Sequence, residues 1–270
     1  MSSKSESLKI ATWNINSVRL RIDLVTKLLA EEAPDVLCLQ ETKCPDDLFP
    51  EKAIRKAGYE HIAKRGQKGY HGVAIVSRVP LEAPSTKEFC GKSDCRHIQA
   101  TAKGVEIHNF YVPAGGDEPD PVKNDKFAHK LAFLEEMADW FKKAKGKTTA
   151  KRIAVGDLNV APLENDVWSH KQMLKVVSHT PEEVSLFDAV MASHSWIDVP
   201  RLFTPDEEKL YSWWSYRAKD WQASNRGRRL DHIWASPGLE GAATNVKTLV
   251  DARGWERPSD HAPVIAEFKI

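Results

Sequence analysis

Short apolar runs, rich in β-branched and aromatic residues, recur along the chain and are separated by polar segments. Runs of this length and composition favour buried strands over helices. Strands are predicted at Lys9–Trp13, Val36–Leu39, Val73–Val76, Val105–Tyr111, Ile153–Val155, Leu230–Ala235, Lys247–Val250 and Val264–Phe268. Residues 1–8 are predicted to form a flexible tail.

Two further segments have the periodicity of amphipathic helices, Arg19–Glu32 and Asn124–Lys143. In each, apolar residues return every three or four positions and so share one face. Strands outnumber helices, and short turns such as Lys103-Gly104 indicate antiparallel pairing in part of the sheet. The pattern predicts an α/β (α+β) fold in which two packed sheets carry helices on their outer sides. Residues 9–270 are predicted to form a single domain.

Composition narrows the class of protein. The chain is 41% hydrophobic and 29% charged, which is ordinary for a globular protein and excludes intrinsic disorder. Its 39 basic and 38 acidic residues give a net charge of +1, which excludes a large field of one sign. No run reaches the roughly 18 apolar residues of a membrane span. The N-terminus has no apolar signal core, so a cytoplasmic protein is predicted. The four cysteines lack the spacing of a zinc site and are expected to be reduced thiols.

Polar and acidic residues stand at the ends of five predicted strands. They are Asn14, Asn16, Glu41, Asp157, Asn159, Asp231, Asp260 and His261. Strand ends are rigid places from which a protein displays functional groups. Oxygen donors without thiolates favour Mg²⁺ or Mn²⁺ over zinc. Each residue alone is more often a turn residue or a helix cap, so their joint occurrence carries the prediction of a site.

Five ordered segments resemble the motifs of the exonuclease III family of abasic-site endonucleases. They are Trp13–Asn16, Leu39–Lys43, Gly156–Asn159, Arg229–Asp231 and Pro258–Pro263, and the segments Gly66–Val73 and Trp213–Arg217 also fit. The resemblance extends from about Lys9 to Ile270. It implies a four-layered α/β sandwich, in which two packed mixed β-sheets are flanked by helices and the site lies at one edge.

The resemblance also implies a base-excision-repair nuclease. Such an enzyme hydrolyses the phosphodiester 5′ to an abasic site in duplex DNA and leaves a 3′ hydroxyl and a 5′ deoxyribose phosphate. It also has 3′→5′ exonuclease and 3′-end-cleaning activity. The implied partner is double-stranded DNA with abasic sites or blocked 3′ ends, with no membrane, and the chain is expected to act as a monomer.

A metal site follows from the same resemblance. Glu41 would be the principal ligand of a catalytic Mg²⁺, for which Mn²⁺ could substitute. Asn14 and Asp260 would support it, and Asp157 and Asn159 are further candidate ligands.

Catalytic roles are implied for five residues. Asp157 would orient and deprotonate the attacking water, which Asn159 would help to hold. His261, paired with Asp231, would contact the scissile phosphate. Tyr111 would lie against that phosphate or against the leaving group.

Two positions near the implied site of damage recognition depart from the family pattern. Trp213 and Leu230 would line a small pocket for the extruded abasic sugar, which is cheap to flip out because it has lost its base stacking. Arg228 stands where the family usually has an apolar residue, which changes the shape of the pocket. Ala114 stands where Gln or Asn is common, which removes a phosphate donor.

Basic side chains near the motifs are candidate contacts for DNA phosphates. They are Lys64, Arg65, Lys68, Arg217, Lys219, Arg226, Arg228 and Arg229. Lysines 142, 143, 145 and 147 are assigned to a helix end, where the helix dipole favours cations, and are left out of the site.

Three alternatives stay open. The chain could be a 3′→5′ exonuclease with weak abasic activity, or another phosphodiesterase of the same superfamily. It could also be a catalytically silent DNA-binding protein, although Glu41, Asp157 and His261 are all present.

Overall fold

The computed structural model describes residues 6–144 and 149–270. Residues 1–5 of the predicted tail lie outside this part of the chain, as do Lys145 and Lys147. The first strand begins at Ser7, and Leu8 is completely buried. The last two residues of the predicted tail are therefore part of the fold. Within the described ranges, none of the helices has the length and apolar character that crossing a membrane requires.

These ranges contain fourteen strands and six α-helices. The strands β1 to β14 are Ser7–Asn14, Val36–Gln40, His61–Arg65, Val73–Ser77, Glu82–Ser85, His97–Ala102, Val105–Tyr111, Arg152–Asp157, Ile197–Asp198, Trp213–Trp214, Gly227–Arg228, Asp231–Ala235, Ala243–Thr248 and Val264–Lys269. The helices α1 to α6 are Ile22–Glu32, Glu51–Lys56, Asp125–Ala144, His170–Met173, Pro181–His194 and Trp221–Ser224.

The longer strands form two six-stranded mixed sheets. The first has the order β13-β14-β1-β2-β4-β3 and the second β5-β6-β7-β8-β12-β9. The pairs β1–β2 and β7–β8 are parallel, and the other pairs in both sheets are antiparallel. The short strands β10 and β11 form a separate ribbon.

The two sheets pack face to face. Ile10 and Ile75 of the first sheet meet Ile107 and Val155 of the second in one buried cluster. Helices α1 and α2 cover the outer face of the first sheet, and α3 and α5 cover that of the second. Central strands buried on both faces are continuously apolar, which is why their runs were visible in the sequence. The predicted four-layered α/β sandwich is confirmed.

Element boundaries differ from the prediction in several places. The helix predicted from Arg19 begins at Ile22, and the one predicted from Asn124 begins at Asp125. The strand predicted at Lys247–Val250 lies earlier, at Ala243–Thr248. The sequence-based prediction missed strands β3, β5, β6, β9, β10 and β11 and helices α2, α4, α5 and α6.

Candidate active site

The carboxyl ends of the two parallel strand pairs supply the first group of site residues. Asn14 ends β1, and Glu41 directly follows β2 in the neighbouring position. Tyr111 ends β7 and Asp157 ends β8, where the two residues are paired in register. Parallel neighbours end at the same edge of a sheet, so each pair places its polar side chains together.

The antiparallel neighbours bring the second group to the same edge. Asp231 begins β12 and pairs with Asp157. Residues 260 and 261 lie just before β14, whose first residue pairs with Thr12 near the end of β1. The Trp13 indole Nε1 donates a 2.9 Å hydrogen bond to the carbonyl of His261 and so fixes residues 260 and 261 against β1.

Local backbone geometry explains two of the sequence motifs. A Cβ on Gly156 would lie 1.9 Å from the carbonyl oxygen of Phe110, so a side chain there would separate β7 from β8. Glu41 and Asn159 have φ of 50° and 54°, in the left-handed region that side chains other than glycine rarely adopt. Such strained backbone is concentrated at functional sites.

Asn14 links the two halves of the site. Its Nδ2 donates to Glu41 Oε1 at 2.9 Å and to Asp157 Oδ2 at 2.8 Å. Its Oδ1 accepts the backbone N–H of Asn16 at 3.1 Å. Asn14 therefore orients two carboxylates, and its role as a supporting metal ligand stays a prediction.

Glu41 is held by cations and hydrogen-bond donors. The Tyr111 hydroxyl donates to Oε1 at 2.8 Å, and Lys43 Nζ lies 2.6 Å from Oε2. Burial favours the neutral acid, but Lys43 and Asn14 outweigh it and lower the pKa of Glu41. Burial also raises the pKa of Tyr111 well above its usual value, with Glu41 adding to the effect, so the phenol stays a donor.

His261 lies between two carboxylates. Its Nδ1 is 2.8 Å from Asp231 Oδ2, and its Nε2 is 3.7 Å from Asp157 Oδ2. Burial alone would lower the pKa of His261, but Asp231 and Asp157 outweigh it and raise the pKa to about 10. His261 is therefore a cation at neutral pH. Its Nδ1 donates to Asp231, which fixes the orientation of the ring.

Asp157 is the carboxyl group with the most altered acidity. Burial is the main cause and raises its pKa to about 7, although His261 opposes the change. The backbone N–H of Asn159 donates to its Oδ1 at 3.0 Å. Asn159 in turn is fixed through a 2.9 Å bond from its Nδ2 to the carbonyl of Val112. Asp157 can therefore exchange a proton near neutral pH.

Two serines that were given no role in the sequence-based prediction support this network. Ser212 Oγ donates to Asp231 Oδ2 at 2.6 Å and accepts the backbone N–H groups of Leu230 and Asp231 at 3.0 Å. Ser259 Oγ donates to the carbonyl of Asn14 at 2.6 Å. No motif marks Ser212, because its partners are brought to it only by the fold.

The donors suit a hard divalent cation better than a softer one. Asp157, Asp231 and His261 have ligand atoms within 4.8 Å of one another, but the raised pKa of His261 makes it a poor ligand. Glu41, Asp157 and Asp260 instead offer carboxylate oxygens to one cavity. Oxygen donors without a thiolate are the set that Mg²⁺ and Mn²⁺ prefer.

This cavity has a volume of about 580 Å³ and contains most of the predicted site. Its lining includes Glu41, Tyr111, Asp157, Asn159, Trp213, Arg217, Arg226, Arg228, Leu230, Asp260 and His261. Ala114 is also in the lining, together with Trp168, Met173, Val176, Val177 and Ser178, to which the sequence-based prediction gave no role. Asn14 and Asp231 are buried behind it, and Lys68 is exposed on the loop after β3, outside the lining.

A second cavity of about 560 Å³ adjoins the first and shares Tyr111, Ala114 and Gly116 with it. Basic groups dominate its polar lining, which includes Lys92, Arg96 and Lys126. The guanidinium of Arg96 lies 4.8 Å from the ring centroid of Tyr111 and donates to the Tyr111 carbonyl at 3.1 Å. This basic surface was not predicted, because its residues come from segments far apart in the chain.

The candidate phosphate contacts separate into two groups. Arg229 is buried and bound by Asp166 and Asp198, so its prediction as a DNA contact is wrong. Arg217 is exposed at the rim of the first cavity. Arg226, also exposed, lies 4.6 Å from the ring centroid of Trp168.

Known proteins match the chain along nearly its whole length. The sequence profile of the Endonuclease/Exonuclease/phosphatase family matches residues 11–261. Exodeoxyribonuclease III of Haemophilus influenzae is 31% identical, with 97% of this chain and 100% of that protein covered.

Solved structures give the same result. An AP endonuclease from Archaeoglobus fulgidus superimposes with a TM-score of 0.90 at 33% identity. The 3′ phosphatase NExo from Neisseria, solved with a product DNA hairpin, gives a TM-score of 0.89, also at 33% identity. Each alignment covers 97% of this chain and 100% of the other.

Proposed function

Since the chain belongs to the endonuclease/exonuclease/phosphatase family, we propose that it is a metal-dependent nuclease of DNA base excision repair. It hydrolyses the phosphodiester 5′ to an abasic site in duplex DNA, and it also has 3′→5′ exonuclease and 3′-end-cleaning activity. Its full-length relatives include an exodeoxyribonuclease III and an AP endonuclease. The observation that carries the proposal is the meeting of Glu41, Asp157 and His261 at one cavity, with Asp231 paired to His261 from behind.

Asp157 is the general base of this reaction. With a pKa of about 7, its carboxylate can take the proton of a water molecule near neutral pH. Asn159, whose backbone N–H already contacts Asp157, helps to hold that water. The water oxygen attacks phosphorus in line, the bond from phosphorus to the 3′ oxygen breaks, and this oxygen leaves as a hydroxyl after gaining a proton.

His261 and Tyr111 stabilise the charge that develops during this step. His261 is a buried cation, and it offers Nε2–H to a non-bridging oxygen of the scissile phosphate while Asp231 fixes the ring. Tyr111 keeps its proton and is directed at Glu41 in the free enzyme. With DNA bound, its hydroxyl lies against the phosphate or the leaving group.

Glu41 and Asp260, with Asp157 beside them, would hold a Mg²⁺ ion, and Mn²⁺ could substitute for it. When bound, the metal neutralises negative charge on the phosphate oxygens. Asn14 keeps Glu41 and Asp157 in place for this role. Lys43 balances the charge of Glu41 in the free protein.

Duplex DNA binds across the two adjoining cavities. Trp213 and Leu230 form the wall for the extruded sugar, and Arg217 and Arg226 contact phosphates at the rim. Lys68 can reach the backbone from its exposed loop. We further propose that residues 9–270 act as a single domain and a cytoplasmic monomer.

A second candidate function is a 3′→5′ exonuclease with weak abasic activity. The observation that favours it is Arg228, which occupies part of the wall where an abasic sugar would enter.

Cleavage of a duplex with one internal tetrahydrofuran residue, beside an undamaged duplex, tests the proposal. We expect incision at the lesion with Mg²⁺ and none with EDTA. Steady shortening from 3′ ends without internal incision would favour the exonuclease. Binding of the duplex without cleavage under any metal would contradict both functions and favour a silent DNA-binding protein.

A further inference from the structure

Arg228 is fixed in the wall of the active-site cavity by its backbone and by its side chain. Its backbone pairs with Trp213 and Val167, and its carbonyl accepts the N–H of Ser212 at 2.9 Å. The guanidinium lies 5.0 Å from the ring centroid of Trp213. Its Nη1 donates to the Val177 carbonyl at 3.1 Å and to Ser178 Oγ at 2.9 Å. The side chain therefore reaches from β11 to residues 177–178 in one defined position.

One edge of this guanidinium has no hydrogen-bond partner among the described residues. Both of its hydrogen bonds to described residues leave from Nη1, and Nε is buried without a hydrogen-bond partner. The edge formed by Nε and Nη2 carries two parallel N–H groups, whose spacing matches the two oxygens of a carboxylate or a phosphate. A buried donor that lacks an acceptor is costly, so a ligand that supplies one gains affinity.

The charge around Arg228 also favours an anion. Glu183 is a carboxylate whose charge acts on Arg228, but Glu183 forms a fully buried ion pair with Lys130. Among the described residues Arg228 forms no ion pair of its own. Burial lowers the pKa of Arg228 despite the opposing effect of Glu183. Two cations, the buried Lys130 and the half-buried Arg228, thus lie near one carboxylate beside the cavity.

We infer that Arg228 is a specificity-determining residue that binds a small anionic group attached to the scissile phosphate. This inference rests on the proposed function, because the scissile phosphate is placed by the residues assigned there. The group is a carboxylate, and a DNA 3′ end blocked by phosphoglycolate carries one at this position. The deoxyribose of an abasic site is neutral and bulkier, and a plain 3′-phosphate has no group to place in the pocket.

The reaction on this substrate is ordinary hydrolysis. The water oxygen bonds to phosphorus, and the bond from phosphorus to the 3′ oxygen of DNA breaks. The products are a 3′-hydroxyl end, which gains a proton, and 2-phosphoglycolate, whose carboxylate is unchanged. Arg228 contributes binding and position only.

Cleavage of three duplexes distinguishes carboxylate binding by Arg228 from a general effect of removing its positive charge or of lowering protein stability. They carry a 3′-phosphoglycolate, a 3′-phosphate or an internal tetrahydrofuran residue, and kcat/KM is measured on each with Mg²⁺. We expect Arg228→Leu to lower kcat/KM on phosphoglycolate about tenfold or more relative to 3′-phosphate, as for a lost hydrogen bond to a charged group. We expect the same variant to raise incision at the neutral tetrahydrofuran residue.

Arg228→Lys and Arg226→Leu are the matched variants. Lysine keeps the charge but lacks the two-pronged edge, so it should lose most of the preference for phosphoglycolate. Arg226→Leu removes a cation from the rim of the same cavity and should lower all three activities by a similar factor. Activity on the 3′-phosphate duplex shows that each variant is folded.

Inhibition of the unaltered enzyme provides a test that needs no variant. We expect 2-phosphoglycolate to inhibit more strongly than ethyl phosphate, which has nearly the same shape without the carboxylate. Equal inhibition, or an unchanged substrate ratio in Arg228→Leu, would overturn the role of Arg228 and leave the proposed function intact. Absence of metal-dependent cleavage of all three duplexes by the unaltered enzyme would instead contradict the proposed function.

Discussion

Asp157 acquires its chemistry from its surroundings. Burial raises its pKa to about 7, although the cationic His261 opposes this change. Asp157→Asn keeps the shape and an acceptor for Asn14 but removes the base. We expect single-turnover cleavage to fall about 10²- to 10⁴-fold, the usual contribution of general base catalysis. DNA binding measured by fluorescence anisotropy should change little. Near-full activity of the variant would show that another group activates the water.

Glu41 is the second residue whose role can be isolated. It is the carboxylate that Asn14, Tyr111 and Lys43 all contact. We expect Glu41→Ala to raise the Mg²⁺ concentration needed for half-maximal cleavage, because a carboxylate ligand is lost. The measurement is a metal titration of initial rates, with the exposed Glu60→Ala as a control. An unchanged titration curve would exclude Glu41 as a metal ligand.

Adjacent arginines show what the sequence can and cannot predict at this scale. Arg228 and Arg229 are the same residue type at neighbouring positions, yet Arg228 lines the cavity and Arg229 is bound by Asp166 and Asp198. The acidic partners of Arg229 lie 63 and 31 positions away, so no local pattern indicates them. The place of His261 in the cavity could be predicted, because the motif that contains it is continuous in sequence.

At the scale of elements, predictability follows burial. Strand β2 is buried at every position and was found from its apolar run. Strand β5 is exposed at every position, and β6 contains polar residues that hide its alternation. The capping box of Thr180 and Glu183 marks the start of helix α5 in the sequence. Its apolar residues are not gathered on one face, so the periodicity does not predict the helix.

The buried pair of Lys130 and Glu183 joins two helices to the site. Lys130 of α3 also donates to the carbonyl of Asn159 at 2.7 Å. Lys130→Met should lower the free energy of unfolding by about 3 to 5 kcal/mol, because it leaves a buried carboxylate unpaired. Denaturation by urea measures this change.

The matched control for that prediction is the double variant Lys130→Met with Glu183→Gln. A neutral amide can still accept the N–H of Ser178, so the double variant should be more stable than Lys130→Met alone. Equal stabilities would mean that the destabilisation comes from lost packing of the lysine stem.

At the scale of the molecule, the site depends on the relative position of the two packed sheets. Gln40 of the first sheet donates to Asn109 Oδ1 of the second at 2.7 Å. Asn109 Nδ2 donates back to the carbonyls of Leu39 and Ala74 at 3.0 and 2.9 Å. These buried contacts lie behind Glu41 and link the parallel pairs that carry it and Asp157. Sequence patterns give the strands but not the contacts between sheets, so this link could not be predicted.

Buried histidines make the stability of the whole molecule depend on pH. His232 is fully buried, and its Nε2 donates to the Val160 carbonyl at 2.8 Å. Its Nδ1 has no hydrogen-bond partner in the part of the chain that the structure describes. Burial is the main cause that lowers its pKa to about 3, with Arg229 adding to the effect. An unfolded histidine titrates near pH 6.5, at about the ordinary value. Between pH ~6.5 and pH 3 the unfolded chain binds a proton that the buried His232 does not. The contribution of neutral His232 to the free energy of unfolding is therefore complete above pH ~6.5 and is lost as the pH falls toward 3.

The variant His232→Asn keeps a donor for Val160 and removes this titration. We expect the unaltered protein to lose roughly 1 kcal/mol per pH unit relative to the variant below pH ~6. Urea denaturation at several values between pH 5 and pH 8 measures the difference. His61→Asn, at a partly exposed histidine of β3, should leave the pH dependence of the unaltered protein in place. Free energies of unfolding that depend on pH in the same way in the unaltered protein and in His232→Asn would contradict this prediction. That result would mean that water reaches the His232 ring, since only a solvated imidazole could take up its proton without loss of stability.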